Sequence, residues 1–246
     1  MLKNITLHIE PDYDSLSRKA AIIFAQALKD NPIASYGFAA GSTPLGMYEE
    51  LRRMHSLGEI DLSQITAFSL DEYHPIRQSD PKSYNSFMAK NLFDEVSLLK
   101  DRRNIPSGEA GSPIDEAAAY DERIHMAGGI ELQILGMGHN GHIGFNEPAD
   151  IFSKQTAYVP LTENTIKSNS RFFASEEEVP RHAITMGIHS IMMARQILLL
   201  VSGEAKAGIL RDALLGPITP LVPASILQLH QDVIVIADRD AAKNIQ

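Results

Sequence analysis

Short apolar runs alternate along this chain with longer segments in which apolar residues recur every three or four positions. The short runs predict strands at residues 5–9, 34–40, 65–70, 130–135, 196–201 and 233–237. The longer segments predict helices at residues 16–28, 44–54, 84–96, 115–127 and 204–215. A helix between two consecutive strands acts as a crossover connection, so this alternation predicts a mainly parallel sheet.

The runs at residues 196–201 and 233–237 are apolar at successive positions, which is typical of strands covered on both faces. No proline- or serine-rich linker divides the 246 residues, and this length suits one large domain. We therefore predict a single α/β domain, residues 1–246, with an open, mainly parallel sheet and helices on both faces. Ligands of such sheets bind beyond the carboxyl ends of the strands, so the loops there are the candidate sites.

Charge and composition argue against several functions. The chain has 22 Lys and Arg residues against 31 Asp and Glu residues, a net charge of −9, and no basic stripe of the kind that binds nucleic acid or an anionic membrane. The absence of cysteine excludes disulfides and thiolate sites. Lys3, His8 and Glu10 interrupt the first apolar stretch, and the run at residues 197–201 is far shorter than the ~20 residues of a membrane helix. We expect a cytoplasmic protein.

The loop after the second predicted strand reads Gly41-Ser42-Thr43-Pro44 and leads into a helix. Proline suits the first helical position, Ser42 or Thr43 can cap the helix, and glycine allows a ligand to approach the backbone. Free N–H groups at a helix start attract anions, so this loop is a candidate phosphate site. The alternative is an ordinary capped helix start, and the missing G-x-x-x-x-G-K-[ST] pattern argues against a nucleoside triphosphate.

Asp71 and Glu72 follow the third predicted strand. When two acids lie side by side in a partly buried place, the pKa of one of them rises, and such a carboxylate can serve as a general base. Acids also cluster for structural reasons, and from these two residues alone a solvated acidic turn is the simpler interpretation.

The loop after the fourth predicted strand, LGMGHNGHIGFNEP at residues 135–148, holds four glycines, two histidines and one acid. It satisfies G-x-G-x-x-G from Gly136, but later Gly, Asn and Pro residues oppose the helix that a dinucleotide fingerprint needs. We interpret it as a loop that presents His142 and Glu147: the imidazole can move a proton to or from a sugar oxygen, and the carboxylate can orient the ring. His139 and His142 lack an evident third ligand for a metal.

Two basic residues complete the candidate set. Lys206 lies in the first turn of a predicted helix, where the helix dipole disfavours a cation unless an anion lies opposite. Arg171 lies between polar and aromatic residues, and arginine suits bidentate binding of phosphate. Each of the two, taken alone, is also compatible with an ordinary surface position.

Taken together, these segments resemble the glucosamine-6-phosphate deaminase family, also called glucosamine-6-phosphate isomerases. The matching segments occur in family order from residue 39 to residue 230 and read AAGSTPLGMYEEL, FSLDEYHPI, SYNSFM, LGMGHNGHIGFNEPA, NSRFF, GEAKAGIL and PASILQLH. The resemblance implies a Rossmann-like α/β fold without a nucleotide, and the conversion of glucosamine 6-phosphate and water to fructose 6-phosphate and ammonia. It implies no cofactor and no metal. The implied partner is the small-molecule substrate, with the chain a monomer or a homo-oligomer.

The resemblance also implies a role for each candidate residue. Asp71 would take the C2 proton and return it to C1, His142 would open the pyranose ring, and Glu147 would orient and polarise the imidazole. Asn140 matches a position that assists ring opening and is Asp in some members. With Asn here the imidazole loses one possible charged partner, so Glu147 should matter more. The 6-phosphate would be held by Gly41, Ser42, Thr43, Arg171 and Lys206.

One family feature is not expected. Some oligomeric members carry an allosteric site for N-acetylglucosamine 6-phosphate, built from basic residues just after the NEP segment. In this chain Lys154 is the one basic residue at positions 150–159, and Asp150 is an acid. We therefore expect no such activation.

Four alternatives remain open from the sequence. 6-Phosphogluconolactonases resemble this family in fold, but their histidine loop typically continues towards Ser-Leu-Phe-Pro, whereas this chain continues Ile-Gly-Phe-Asn-Glu-Pro. Galactosamine 6-phosphate differs from the implied substrate at one hydroxyl, which a single hydrogen bond can discriminate. A non-catalytic sugar-phosphate sensor would need no proton-transfer residues, and a dehydrogenase would bind nicotinamide.

Overall fold

The computed structural model describes residues 4–245; both ends of the predicted domain 1–246, including Lys3, lie outside the described residues. The strands of the described chain are β1 Ile5–Glu10, β2 Ser35–Phe38, β3 Thr66–Ser69, β4 Asp71–His74, β5 Arg103–Asn104, β6 Leu132–Gly136, β7 Ala157–Pro160, β8 His182–Thr185, β9 Gln196–Val201 and β10 Val233–Asp238. Seven of them form a parallel sheet in the order β1-β10-β9-β6-β2-β3-β5, and three form an antiparallel sheet in the order β4-β8-β7.

The large sheet has the parallel α/β architecture that the alternating pattern predicts. Each of the six predicted strands is present within a few residues of its expected bounds, and every pairing in this sheet is parallel. The strands β9 and β10 are buried at successive positions, which confirms that they are covered on both faces. Since the strands are parallel, the loops that follow β2, β3, β6 and β9 all emerge at one edge of the sheet.

The helices of the described chain are α1 Tyr13–Asp30, α2 Leu45–Ser56, α3 Tyr84–Met88, α4 Pro113–Met126, α5 Glu163–Asn169, α6 Ile188–Met192, α7 Ala207–Leu215 and α8 Arg239–Ala242. The five predicted helices are present, two of them shorter than predicted, and three short helices in the described chain, α5, α6 and α8, are not predicted. After α3 the chain makes a wider π-helical turn, Ala89–Phe93, in which the adjacent side chains of Leu92 and Phe93 are both buried. The helix predicted at residues 204–215 begins with a 3-10 turn, Glu204–Lys206, so Lys206 precedes α7 rather than lying in its first turn.

The small antiparallel sheet is not predicted by the sequence pattern, because each of its strands is four residues long and β4 is polar at most positions. The loop predicted to follow β3 is in fact β4, which pairs with β8. The chain crosses between the sheets at Leu70. The N–H of Leu70 donates to the carbonyl of Phe38 at 3.0 Å, and its carbonyl accepts from the N–H of Met186 at 2.7 Å.

The core has two apolar clusters. The main one lies between the large sheet and its helices. The smaller one joins the small sheet to α5 and consists of Tyr73, Ile76, Phe145, Leu161, Ile166, Val179 and Ala183. Because Phe145 belongs to the loop after β6, this cluster holds that loop against the small sheet. Among residues 4–245, no helix is long and apolar enough to cross a membrane.

Candidate active site

Asp71 and Glu72 are buried at the start of β4. Asp71 is 6% exposed and Glu72 is 1% exposed, so the interpretation of these acids as a solvated turn is wrong. They are covered because β4 continues into the small sheet, where Asp71 lies opposite Thr185 on β8. The two neighbouring carboxylates thus have the buried setting that shifts a pKa towards the range of a general base.

The pKa values of these two acids rise for a shared reason. Burial raises the pKa of Asp71 to about 8, and the charge of Glu72 adds to the rise. Burial also raises the pKa of Glu72, while hydrogen bonds from the N–H groups of Tyr84, Asn85 and Tyr73 oppose that rise. Glu72 is thereby fixed to the start of α3. The Asp71 carboxylate accepts no hydrogen bond from any described residue, which leaves it available to a ligand.

The loop after β6 folds tightly around the His142 side chain. The N–H of Gly138 donates to the carbonyl of His142 at 2.9 Å, and a Cβ added to Gly138 would lie 2.2 Å from the imidazole. Gly141 and Gly144 have φ values of +85° and +57°, which favour glycine. The loop has no helix over positions 137–148, and this agrees with the prediction that it is not a dinucleotide fingerprint.

The same loop lies against Asp71. A Cβ added to Gly144 would lie 3.5 Å from Asp71 Oδ2 and 2.8 Å from Thr185 Oγ1. The N–H of Phe145 donates to the Thr185 hydroxyl at 3.0 Å, and Thr185 is the cross-strand partner of Asp71. The structure therefore places Asp71 next to the loop after β6, residues 137–148, which we call the histidine loop.

Glu147 is the centre of the polar network beside His142. Its Oε1 lies 3.3 Å from His142 Nδ1 and accepts a hydrogen bond from the Thr165 hydroxyl, and its Oε2 accepts one from Asn140 Nδ2 at 2.7 Å. Burial alone would raise the pKa of Glu147, but the contacts with His142, Thr165 and Asn140 lower it to about 2. The carboxylate is therefore ionised at neutral pH and suited to orienting an imidazole and stabilising its cation.

Asn140 contacts the backbone of His142 rather than its ring. Its Oδ1 accepts a hydrogen bond from the N–H of His142 at 3.2 Å, while its Nδ2 donates to Glu147. In this arrangement the charged partner of the imidazole is Glu147, and Asn140 acts on the ring through that carboxylate.

The predicted phosphate loop lies at the carboxyl end of β2. Gly41 has φ +115°, and beyond its chain neighbours no described atom lies within 4 Å of the place a Cβ would take. Pro44 takes the cap position of α2, so the prediction that Ser42 or Thr43 caps this helix is wrong. The Tyr13 hydroxyl accepts a hydrogen bond from the second N–H of α2 and contacts the carbonyls of Ser42 and Thr43. A distant tyrosine therefore fixes the loop.

Lys206 and Arg171 lie close enough for their charges to interact. Lys206 Nζ donates to the carbonyl of Met137 at 2.7 Å, which places the amine beside the start of the histidine loop. Burial, and next the charge of Arg171, lower the pKa of Lys206 to about 8. The Arg171 guanidinium lies 4.7 Å from the ring centre of Phe172. In the described chain neither cation forms an ion pair with a carboxylate, so an anion would complete the arrangement.

His139 is exposed on the side of the loop that faces these cations. Burial of part of its ring lowers its pKa, and the charges of Lys206, His142 and Arg171 add to this effect. Within residues 4–245, no group of three or more His, Asp or Glu side chains is arranged to hold a metal ion.

Three residues of this site carry no signal in the sequence. Tyr13 contacts the phosphate loop, Thr165 contacts Glu147, and Thr185 contacts the histidine loop. Each lies at least 18 positions from its partner along the chain. Periodicity and short motifs report local structure, so these contacts can be found only from the folded chain.

Comparisons with known proteins agree with this fold and identify its family. A family model described as glucosamine-6-phosphate isomerases/6-phosphogluconolactonase matches residues 12–236. A glucosamine-6-phosphate deaminase of Alkaliphilus metalliredigens (strain QYMF) is 46% identical over 240 residues, which cover 98% of this chain and 99% of the relative. One of Thermoanaerobacter sp. (strain X514) is 48% identical over 237 residues, which cover 96% and 94%.

Solved structures show the same fold. That of a monomeric glucosamine-6-phosphate deaminase has a TM-score of 0.93 and 40% identity, with 98% of this chain and 99% of that chain covered. A 6-phosphogluconolactonase from Trypanosoma cruzi has a TM-score of 0.80 at 17% identity, covering 100% and 98%, and is similar in fold alone. The fold and site thus define a Rossmann-like α/β protein whose candidate site lies at the carboxyl ends of parallel strands. The chain belongs to the family of glucosamine-6-phosphate isomerases and 6-phosphogluconolactonases.

Proposed function

We propose that this protein is a glucosamine-6-phosphate deaminase of amino-sugar catabolism, which converts glucosamine 6-phosphate and water to fructose 6-phosphate and ammonia. The main support is that Asp71 lies close to the loop that carries the His142 and Glu147 pair, at one edge of the sheet. The pKa of Asp71 is also raised. Aldose–ketose isomerisation needs a carboxylate base and a second group for ring opening. The relatives at 46–48% identity share this name, which supports the same reaction.

His142 opens the sugar ring in the first step. The imidazole takes the proton of the C1 hydroxyl and delivers a proton to the ring oxygen. The bond between C1 and the ring oxygen breaks, so C1 becomes an aldehyde and the ring oxygen becomes the C5 hydroxyl. Glu147 stabilises the transient imidazolium, and the hydrogen bond from Asn140 holds the Glu147 carboxylate in place.

Asp71 moves the proton between carbons in the second step. It removes the proton from C2 while the ammonium group passes a proton to the aldehyde oxygen, which gives an enolamine. Asp71 then returns its proton to C1, and the bond between C2 and nitrogen becomes an iminium. Water adds at C2 and ammonium leaves, so C2 becomes the ketone of fructose 6-phosphate. One carboxylate serves both carbons because they are neighbours.

The phosphate group anchors the far end of the substrate. Its oxygens are bound by the backbone at Gly41, the hydroxyls of Ser42 and Thr43, and the cations of Arg171 and Lys206. A bound dianion favours the protonated form of Lys206. Binding energy at this remote group holds C1 and C2 at the base. Because a sugar phosphate does not cross a membrane unaided, we place the reaction in the cytoplasm.

The test is to incubate the purified protein with glucosamine 6-phosphate, galactosamine 6-phosphate and 6-phosphogluconolactone in parallel. We expect ammonia and fructose 6-phosphate from the first compound. Hydrolysis of the lactone without ammonia release from either amino sugar would overturn the proposal.

The Asp71→Asn variant tests the assigned base. Loss of a general base lowers turnover by about 10²–10⁴-fold, and the variant should still bind substrate, since the phosphate site is unchanged. A near-normal rate would show that Asp71 is not the base.

A further inference from the structure

Thr165 lies in α5, but its hydroxyl donates to a group outside the helix. Threonine hydroxyls in helices commonly bond the carbonyl of the preceding turn. Here the Thr165 hydroxyl donates instead to Glu147 Oε1, which lies 18 positions earlier in the chain. Thr165 is 6% exposed, so water cannot easily replace this bond. The Thr165 hydroxyl also accepts a hydrogen bond from the Thr162 hydroxyl at 3.1 Å, so its own proton is directed to the carboxylate beside His142.

The bond from Thr165 completes the fixation of Glu147. One carboxylate oxygen accepts from Asn140. The other lies beside the Nδ1 atom of His142 and accepts from the Thr165 hydroxyl, with a longer contact of 3.4 Å from the Thr162 hydroxyl. The Glu147 side chain is 11% exposed, so these protein groups rather than bulk water determine its orientation. With both oxygens held, the carboxylate cannot rotate away from the ring without losing a buried hydrogen bond.

The helix that carries Thr165 also touches the other parts of the site. Near its end, Asn169 Nδ2 donates to the hydroxyl of Tyr73 at 2.8 Å, and Tyr73 belongs to the strand that begins with Asp71. The chain then enters the turn Ser170–Phe172, which carries Arg171. This short segment thus contacts Glu147 and the strand that begins with Asp71, and it leads directly to Arg171, a residue of the proposed phosphate site.

We propose that Thr165 is a positioning residue for ring opening, whose hydroxyl holds Glu147 against the His142 ring and ties that pair to the helix leading to Arg171. The inference rests on the proposed function for its kinetic consequence. Because the Thr165 hydroxyl contacts Glu147 and Thr162 but not Asp71, its loss impairs the step that needs the imidazole more than the step that Asp71 performs.

The test compares Thr165→Val, which removes the hydroxyl at nearly constant volume, with Thr165→Ser, which retains it. Rates are measured with glucosamine 6-phosphate and with its 5-deoxy analogue, which lacks the oxygen that closes the pyranose ring. We expect Thr165→Val to lower kcat about tenfold on the cyclic substrate and less than about threefold on the analogue. Thr165→Ser should remain within about threefold of the parent on both.

Thr156→Val is the matched control. Thr156 is also 6% exposed, and its hydroxyl also donates to a carboxylate, that of Asp121, at 2.6 Å. Asp121 belongs to α4 and not to the proposed machinery, so this variant should lose stability without preferring either substrate. An equal loss on both substrates for Thr165→Val, or no loss on either, would overturn the proposal.

A stability measurement separates this inference from the proposed function. If the parent protein released no ammonia from glucosamine 6-phosphate, the proposed function would fail while the contact could still be measured. Urea unfolding of Thr165→Val, Glu147→Gln and the double variant forms a double-mutant cycle. We expect the midpoint shifts to be non-additive, and additive shifts would overturn the positioning of Glu147 by Thr165.

Discussion

Asn140 donates a 2.7 Å hydrogen bond from its Nδ2 atom to Glu147 Oε2, so an amide and not an acid faces this carboxylate. The bond helps to lower the pKa of Glu147 to about 2. An acid at position 140 would place two like charges at this distance, and their repulsion would raise the pKa of one of them.

We therefore expect Asn140→Asp to destabilise the protein in a pH-dependent way. At about pH 4 the new acid can remain protonated and donate to Glu147, so Tm should fall little. At about pH 8 ionising it beside Glu147 is unfavourable, so the loss of Tm should be larger. Thermal unfolding of both proteins across this range checks the prediction, and a pH-independent difference would contradict it.

Asp71 should make the protein less stable as pH rises. Its pKa of about 8 in the folded chain lies above the ordinary value of 3.8. Between these values the folded state binds more protons than the unfolded state, so the free energy of unfolding falls as pH increases. This stabilisation is fully present below about pH 4 and is lost as pH rises towards about 8.

Asp71→Asn should therefore raise Tm relative to the parent by an amount that grows from about pH 4 to about pH 8. The proposed function predicts that the same variant loses turnover, so stability and activity should move in opposite directions. Asp101→Asn, at an exposed position, is the control and should leave Tm nearly unchanged throughout. If the gain in Tm for Asp71→Asn were the same at every pH, the assignment of a raised pKa to this carboxyl would be wrong.

Gly138 is expected to control the position of the His142 ring. In Gly138→Ala the new methyl group would lie 2.2 Å from the imidazole, so the ring must move. Displacing a catalytic group by about 1 Å can cost about 10²-fold in rate, and we expect kcat to fall at least about tenfold with the fold retained. Gly111→Ala is the control, since beyond its chain neighbours no described atom lies within 4 Å of its Cβ position. Equal kcat values for the two variants would refute the role of Gly138.

N-acetylglucosamine 6-phosphate should not activate this enzyme. In the described chain, the hollow beside residues 150–153 is lined by no Lys, Arg or His, and it includes Pro148, Ile151, Phe152 and Ile188. Such a surface offers no cation to a phosphate group. Initial rates at substrate concentrations below KM, with and without the compound, check this. A clear stimulation would contradict the prediction.

The sequence predicts six of the seven strands of the large sheet because each is a short, mostly apolar run between helical segments, and their order along the chain determines which loops meet. The two-residue β5, Arg103–Asn104, is polar and is not predicted. The strand order predicts that Asp71 and the loop that carries His142 and Glu147 lie at the same edge of the sheet, and the family resemblance assigns them to one site.

The sequence does not predict β4, because the neighbouring acids Asp71 and Glu72 are typical of a polar turn. Pairing with β8 buries them. The partners Tyr13, Thr165 and Thr185 stay hidden because their contacts depend on tertiary packing.

Leu70 takes part in both sheets, with its N–H bonded to Phe38 and its carbonyl bonded to Met186. Asp71 is the next residue, so its location is determined by the junction rather than by either sheet alone. Under the proposed function, a smaller residue in place of the buried Leu70 would shift Asp71 and slow its proton transfer, although Leu70 itself is not assigned to the substrate site. The position of the proposed base thus depends on a single residue that is hydrogen-bonded to both sheets of the fold.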